Sequence, residues 1–306
     1  MLRYLQASFL FTCNDFKVIL IPHTLVGLLQ AATGSVLTTN ESPSLPAIWK
    51  RLPYVVAWNW LNLLVFNLAT QRTDDSIAED RLNRPWRPIA SGLISPGEAK
   101  RWLLALIPVV FGVSVLMGAG HETLLMLALV WMYNDLGGGS DNFITRNSIN
   151  GLAFALHNYA STKVAASGAG TGTAGLNEVA ASWLTIIGCI VFTTIQLQDL
   201  PDMEGDQKRG RKTIPLVFGE WPCRVGIAVN VVLWSLASLF FWRLHDSTFP
   251  CVMLLSVGCA VALRVLVFRD VPSDERTYKL WCVWLALVYS LPFVYSLRLP
   301  RTFHVE

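Results

Sequence analysis

The chain has 306 residues, of which 53% are hydrophobic and only 15% charged, with a formal net charge of +3. A soluble domain is about 25% charged, so this composition excludes an ordinary water-soluble globule and points to a membrane protein. The small excess of positive charge is scattered between apolar stretches, and no nucleic acid is expected as a partner.

A helix needs roughly 20 apolar residues to cross the bilayer core, and stretches of that kind recur almost without pause from Phe16 onward, so about nine spans are predicted. In chain order they are Phe16 to Leu37, Leu52 to Thr70, Trp102 to Gly118, Thr123 to Tyr133, Ile149 to Ala166, Val179 to Leu197, Val225 to Trp242, Cys251 to Phe268 and Leu280 to Tyr295. The expected fold is an all-α membrane bundle, residues 1–306 forming one transmembrane domain. Asn14, Asp15 and Lys17 interrupt the N-terminal apolar residues before any small-residue cleavage site, which argues against a signal peptide and leaves the first span to target the chain. The six cysteines, Cys13, Cys189, Cys223, Cys251, Cys259 and Cys282, show neither CxxC nor zinc spacing and read as packing residues. The Gly/Thr/Ala stretch from Ser167 to Gly175 reads as a flexible surface link.

Two connections are far more charged than the rest. The link after the second span carries Arg72, Asp74, Asp75, Glu79, Asp80, Arg81, Arg84 and Arg87; the link after the sixth carries Asp199, Asp202, Glu204, Asp206, Lys208, Arg209, Arg211 and Lys212. Both fall on one side of the membrane, and the excess of Lys and Arg there places that side, with the N-terminus, in the cytosol. The C-terminus then lies on the far side. The expected location is the endoplasmic reticulum membrane, multi-pass, with the charged mouth facing the cytosol.

The first charged segment runs Asn67-Leu-Ala-Thr-Gln71 and then Glu79-Asp80-Arg81-Leu-Asn83-Arg84-Pro85-Trp86-Arg87-Pro88. The second runs Gln196-Leu-Gln-Asp199-Leu-Pro-Asp202-Met-Glu-Gly205-Asp206-Gln-Lys-Arg-Gly210-Arg211-Lys212. Together they resemble the two aspartate-rich motifs of the UbiA superfamily of intramembrane prenyltransferases, a fold of about nine helices around a central cavity. The resemblance implies a prenyl pyrophosphate substrate and Mg2+ as cofactor. A multiply charged anion on a hydrocarbon chain requires a site that is apolar at depth and cationic at its rim. Magnesium bridges carboxylate and phosphate oxygens and neutralises charge developing on the leaving group. Carried over by position, the resemblance implies Glu79, Asp80, Asp199, Asp202 and Asp206 as metal ligands, with Asp80, Asp199 and Asp202 as the catalytic carboxylates. It implies Asn67, Gln71, Arg84, Arg87, Asn134, Arg146, Asn147, Lys208, Arg211 and Lys212 as substrate contacts. Ser76 stands where the commoner family form has an aspartate; Asn67, Gln71, Glu79 and Asp80 fit a form similar to a fungal branch. Asp74 and Asp75 are either ligands in this variant of the motif or plain loop charges, the second being the preferred reading, and Pro201 should end or bend the sixth helix, leaving Asp202 and Asp206 on a separate short helix.

The middle of the chain, Tyr133-Asn134-Asp135-Leu-Gly137-Gly138-Gly139 with Arg146-Asn147 and Asn150-Gly151 beyond it, lacks the Tyr and Lys-Arg run of quinone-pathway transferases. It is similar to fungal UbiA-type terpene cyclases. The implied activity is Mg-dependent ionisation of farnesyl or geranylgeranyl pyrophosphate followed by ring closure. The alternative is transfer of the prenyl chain to an aromatic or other small acceptor. A cyclase cavity needs aromatic faces for cation–π attraction, and Trp58, Trp60, Phe66, Trp131, Tyr133, Phe154, Tyr159, Trp281, Trp284 and Tyr289 are candidates, although for any one of them packing or interfacial anchoring is the simpler role. Lys163 and Arg264 lie near span ends where they can snorkel; His157, in mid-span beside Asn158 and Tyr159, is either a cavity residue or a hydrogen-bonded core histidine, the second being the preferred reading. The lipid bilayer is the one further partner the sequence implies, and it identifies no protein partner.

Overall fold

The computed structural model describes residues 2–167 and 175–299, and all its regular elements are helical. Most of the predicted link between Ser167 and Gly175 lies outside them. Leu2–Thr12 (α1) passes through a 3-10 turn, Cys13–Asp15, and a π-helical turn, Phe16–Leu20, into Ile21–Ala31 (α2). Then follow Leu45–Lys50 (α3), Leu52–Gln71 (α4), Asp74–Asn83 (α5), Pro96–Leu116 (α6), Gly120–Asn134 (α7) and Phe143–Ala166 (α8). The second half comprises Glu178–Thr194 (α9), Met203–Arg209 (α10), Ile214–Phe218 (α11), Glu220–Phe241 (α12), Thr248–Val267 (α13) and Val271–Ser296 (α14).

Seven of the described helical segments are long and apolar enough to cross a membrane. They are Leu2–Ala31, α4, α6, the α9 segment to Asp199, α12, α13 and α14. The first span thus begins at Leu2, upstream of the Phe16 start expected, because the break at Cys13–Asp15 bends the helix without ending it. The two remaining predicted spans are α7 and α8. At 15 residues, α7 covers about 22 Å of helix axis, short of a bilayer core of about 30 Å. The 24-residue α8 is long enough, but Arg146, Asn147, His157, Asn158, Ser161 and Thr162 are buried along it. Its polarity faces protein, which is where polar groups at membrane depth are tolerated.

Local chemistry sets the helix ends. Ser95 and Glu98 form a capping box at the start of α6, while Asn142, Asn177 and Asp270 accept backbone N–H bonds at the starts of α8, α9 and α14. α9 tightens into a 3-10 turn over Ile195–Asp199 before Pro201, and Asp202 stands at the N-cap of the separate α10, as the proline predicts. Around the outside, Leu104, Leu116, Leu263 and Phe249 are each more than 60% exposed. Such a belt would aggregate in water and suits lipid.

α8 occupies the middle of the bundle, packed on α2, α4, α7 and α9. Gly151 makes one of these approaches possible, since a Cβ there would stand 2.6 Å from the Gly188 carbonyl oxygen on α9. α5 and α10 pack directly on each other. Gly205 permits that contact, because a Cβ on it would lie 2.2 Å from Asn83 Nδ2.

Candidate active site

A cavity of about 290 Å³ opens beside the α5–α10 pair and runs inward along α8. Its mouth is lined by Asp15, Lys17, Asn67, Glu79, Asp80 and Asp202, with Arg84, Arg87, Arg146, Arg209 and Arg211 among them. Its interior is bounded by Phe66, Met126, Tyr133, Phe154 and His157. The chain therefore builds a polar, charged rim over an aromatic and aliphatic interior.

Along α5, α10 and the turn before it, the buried and half-buried acidic groups at the rim meet guanidinium groups. Arg84 donates to Asp202 at 2.7 Å, Arg87 to Asp80 at 2.7 Å, and Arg146 clasps Asp199 through both terminal nitrogens at 2.7 and 3.0 Å. Arg209 and Arg211 donate to the two oxygens of Glu79 at 2.9 and 3.1 Å, and Arg211 also donates to Asp206 at 2.7 Å. These bonds join the two acidic segments, which converge on one cavity. Burial by itself would raise the Glu79 carboxyl, but Arg211, Arg209 and Arg87 outweigh it and hold Glu79 below its ordinary range. Beside it burial prevails, and Asp80 is pushed up despite Arg87. Asp206 is likewise raised by burial, only partly offset by Arg211.

The predicted residues divide by position. Asn67, Glu79, Asp80, Arg84, Arg87, Arg146, Asp202 and Arg211 line the cavity. Asp199 and Asp206 stand behind Arg146 and Arg211. Gln71 is buried, donating to Phe11 and to Asn67 Oδ1; Asn134 and Asn147 bond the backbone oxygens of Val130 and Phe192; Lys208 and Lys212 are exposed. None of these five is on the cavity wall. Asp74 and Asp75 are exposed in the first turn of α5, where negative charge favours the helix start. Lys163 pairs with Glu122 at 2.7 Å instead of snorkelling, and Arg264 lies over the Phe268 ring. Of the aromatic candidates, Phe66, Tyr133 and Phe154 reach the cavity; Trp58, Trp281, Trp284 and Tyr289 are core, and Trp131 is exposed. His157 is hydrogen-bonded as expected, yet its ring is also part of the cavity wall.

Sequence reasoning passed over Asp15, Lys17, Arg209, Asn150 and Tyr278, all of which line the cavity. Asp15 Oδ2 accepts from Asn67 Nδ2 at 3.0 Å. The available signal was the polar run Asn14-Asp15 inside a helix that is otherwise apolar; the 3-10 and π turns there are the kind of helix irregularity found at functional sites.

The carboxylates suit magnesium in kind, although among the described residues no three of them are gathered closely enough to enclose an ion. Glu79, Asp80 and Asp202 present hard carboxylate oxygens at the mouth, and Asp206 Oδ2 is buried without a partner among the described residues. The arginines fit a pyrophosphate: the Nε atoms of Arg87, Arg146 and Arg211 are buried with no partner among the described residues, so each retains an unused donor.

Comparison with known proteins gives this architecture a family. The chain matches the UbiA prenyltransferase family over residues 24–288. It belongs to that family. Among curated proteins it is 28% identical to fumagillin beta-trans-bergamotene synthase af520 of Aspergillus fumigatus, over 97% of this chain and 95% of that one. It is 29% identical to somaliensene A/B synthase of Streptomyces somaliensis, over 97% and 94%, and 31% identical to diterpene cyclase eriG of Hericium erinaceus, over 94% and 88%. Weaker matches include polyprenyl transferase eriF of Hericium erinaceus. The fold resembles a solved digeranylgeranylglyceryl phosphate synthase, with a TM-score of 0.63 at 16% identity over 98% of this chain and 100% of that one. It also resembles a UbiA homolog from Archaeoglobus fulgidus bound to GPP and Mg2+, at 0.57 and 14% over 90% and 98%. This UbiA-family chain is thus a multi-pass membrane enzyme of the terpene synthase or prenyltransferase kind.

Proposed function

We propose that the protein is a Mg-dependent terpene cyclase that converts farnesyl or geranylgeranyl pyrophosphate to a cyclic terpene in the endoplasmic reticulum membrane, its mouth facing the cytosol. The observation that carries the choice of cyclase over transferase is the placement of the cyclase-like middle segment against the site. Tyr133 lines the cavity, and Gly139 packs so tightly on its ring that a Cβ would stand 2.6 Å from it. Ser140 accepts from the Lys212 amide at 3.1 Å, tying this segment to the second acidic one. The resemblance to three terpene synthases along almost the whole chain supports the same choice.

Glu79, Asp80 and Asp202, backed by Asp199 and Asp206, would hold magnesium, which when bound neutralises negative charge on the departing pyrophosphate. Arg84, Arg87, Arg146, Arg209 and Arg211 would bind and orient its oxygens through their guanidinium N–H groups. Phe66, Tyr133 and Phe154 face the hydrocarbon, exclude water, and offer π-faces to the allylic cation. With water excluded, that cation would be attacked by the distal double bond of the prenyl substrate itself.

Purified protein in detergent, given magnesium and either pyrophosphate, should release pyrophosphate and one or a few cyclic terpenes with no acceptor present. Product formed only on adding an aromatic acceptor would replace this reading with prenyl transfer.

A further inference from the structure

Eleven residues along α8 from Arg146, about 16 Å deeper at 1.5 Å per residue, His157 lies in the cavity wall. Its protonation is fixed by its neighbour on α4. Asn59 Nδ2 donates to the Val55 carbonyl oxygen at 3.1 Å, a group that can only accept, so the amide orientation is set and Oδ1 is the atom 3.1 Å from His157 Nδ1. Neutral His157 therefore carries its proton on Nδ1, donates it to Asn59, and keeps a lone pair on Nε2. No hydrogen bond to that nitrogen is found among the described residues, and the ring is part of the cavity wall. Asn62 repeats the pattern, since its Nδ2 donates to the Trp58 carbonyl oxygen at 2.9 Å and its Oδ1 is left unpartnered at the cavity.

The cavity consequently has two chemically opposite ends. Its mouth gathers the guanidinium groups of Arg84, Arg87, Arg146, Arg209 and Arg211, suited to an anion, and its deep wall carries, beside the Phe154 ring, His157 and Asn62, whose lone pairs suit a cation. In a substrate whose pyrophosphate sits at the mouth, ring closure carries positive charge from the carbon that bore it toward the distal end of the prenyl chain, and that end would extend into the depth lined by His157.

We propose that His157 is a catalytic residue, the base whose Nε2 takes the proton that ends the reaction and makes the product an olefin. The proposal rests on the cyclase reading above. In the step, a C–H bond adjacent to the cationic carbon breaks and its electron pair becomes the new C=C bond. The proton passes to Nε2, and Asn59 Oδ1 steadies the imidazolium through Nδ1–H. The proton then goes to water when product departs and water enters.

The test compares purified wild type with His157→Phe and Asn59→Leu, using farnesyl and geranylgeranyl pyrophosphate with magnesium, and measures pyrophosphate release alongside the product profile. Wild type should give mainly a cyclic olefin. In His157→Phe, pyrophosphate release should fall by less than about tenfold, while the share of that olefin falls at least about fivefold in favour of earlier-terminated olefins or water-quenched alcohols. Asn59→Leu should shift products in the same direction, less strongly. Should His157→Phe not insert, His157→Gln, an amide with no basic nitrogen, carries the same comparison. Cyclisation by wild type with an unchanged product ratio in the variants overturns the assignment of His157 alone. An alcohol bearing oxygen from labelled water as the main wild-type product also overturns it. Wild type that makes no cyclic product without an acceptor removes the cyclase reading, and this proposal with it.

Discussion

Arg84, just beyond α5, and Asp202, at the head of α10, are 118 positions apart in sequence and meet at 2.7 Å. The bond couples the two acidic segments at the lip of the cavity, and both partners are about one-fifth exposed there, within reach of an incoming ligand.

Asp202→Ala and Asp80→Ala should each lower pyrophosphate release at least about 100-fold, the scale on which single electrostatic stabilisers of a transition state act. Both proteins should still insert and elute as monodisperse species, because little apolar surface is lost. Asp74→Ala, altering an exposed charge, should stay within about twofold of wild type. Full turnover in the Asp202 variant would withdraw the metal assignment.

The α5–α10 contact predicts a coupled pair of substitutions. Gly205→Ala sets a methyl group 2.2 Å from Asn83 Nδ2, so the two helices must part or Asn83 must move. A drop in thermal stability of about 1–3 kcal/mol is expected, together with weaker substrate binding. Asn83→Ala removes the obstructing amide, and the double variant should recover most of the loss, giving an interaction energy well away from zero in a double-mutant cycle.

Arg224 and Asp274 give a contrasting case. Both are about 99% and 98% buried respectively by exposures of 1% and 2%, and two hydrogen bonds of 2.6 and 2.8 Å link them. Neither lines the cavity described above, although both border an adjoining one that shares Arg84 and Asp202 with it. Arg224→Leu leaves a buried carboxylate uncompensated and should destabilise by about 3–5 kcal/mol. In whatever fraction remains folded the product profile should match wild type, as judged by gas chromatography after thermal challenge.

The sequence discloses the bundle because lipid imposes a simple rule on length and polarity, which α4, α12 and α13 follow closely. It discloses Glu79, Asp80 and Asp202 because their spacing with Gly, Arg and Pro is distinctive. Which basic residues face inward was less legible: Arg209 and Arg211 line the cavity whereas Lys208 and Lys212 are exposed, the first contrast set by the phase of the seven-residue α10 and the second by the turn that follows its cap, Gly210, with φ of +74°. The role of His157 in the wall depends on where α4 and α8 face each other, a long-range relationship that no local pattern encodes.

Topology offers an independent check. Asp75→Cys and Lys208→Cys, both at exposed positions beside the mouth, should react with a membrane-impermeant thiol reagent from the same side. Asp246→Cys, beyond α12, should react from the other. Labelling of positions 75 and 208 from opposite sides would contradict the convergence of α5 and α10.

The last prediction concerns Asp15, the carboxylate that composition and motif alike left unmarked. It closes the 3-10 turn between α1 and α2, lines the mouth, and accepts from Asn67 on α4 at 3.0 Å. Asn67 in turn accepts from Gln71 at 3.0 Å, so a chain of hydrogen bonds sets the direction in which the Asp15 carboxylate points. If Asp15 acts on substrate or metal through that fixed orientation, Asp15→Asn should lower turnover about 10- to 100-fold while leaving the melting temperature nearly unchanged. Asn67→Leu should lose activity by releasing the same carboxylate. Because the two substitutions disable one unit, the double variant should be little worse than Asp15→Asn alone, whereas independent roles would make the losses multiply. Multiplying losses would mean that Asn67 serves the substrate by itself and that Asp15 acts without its orientation.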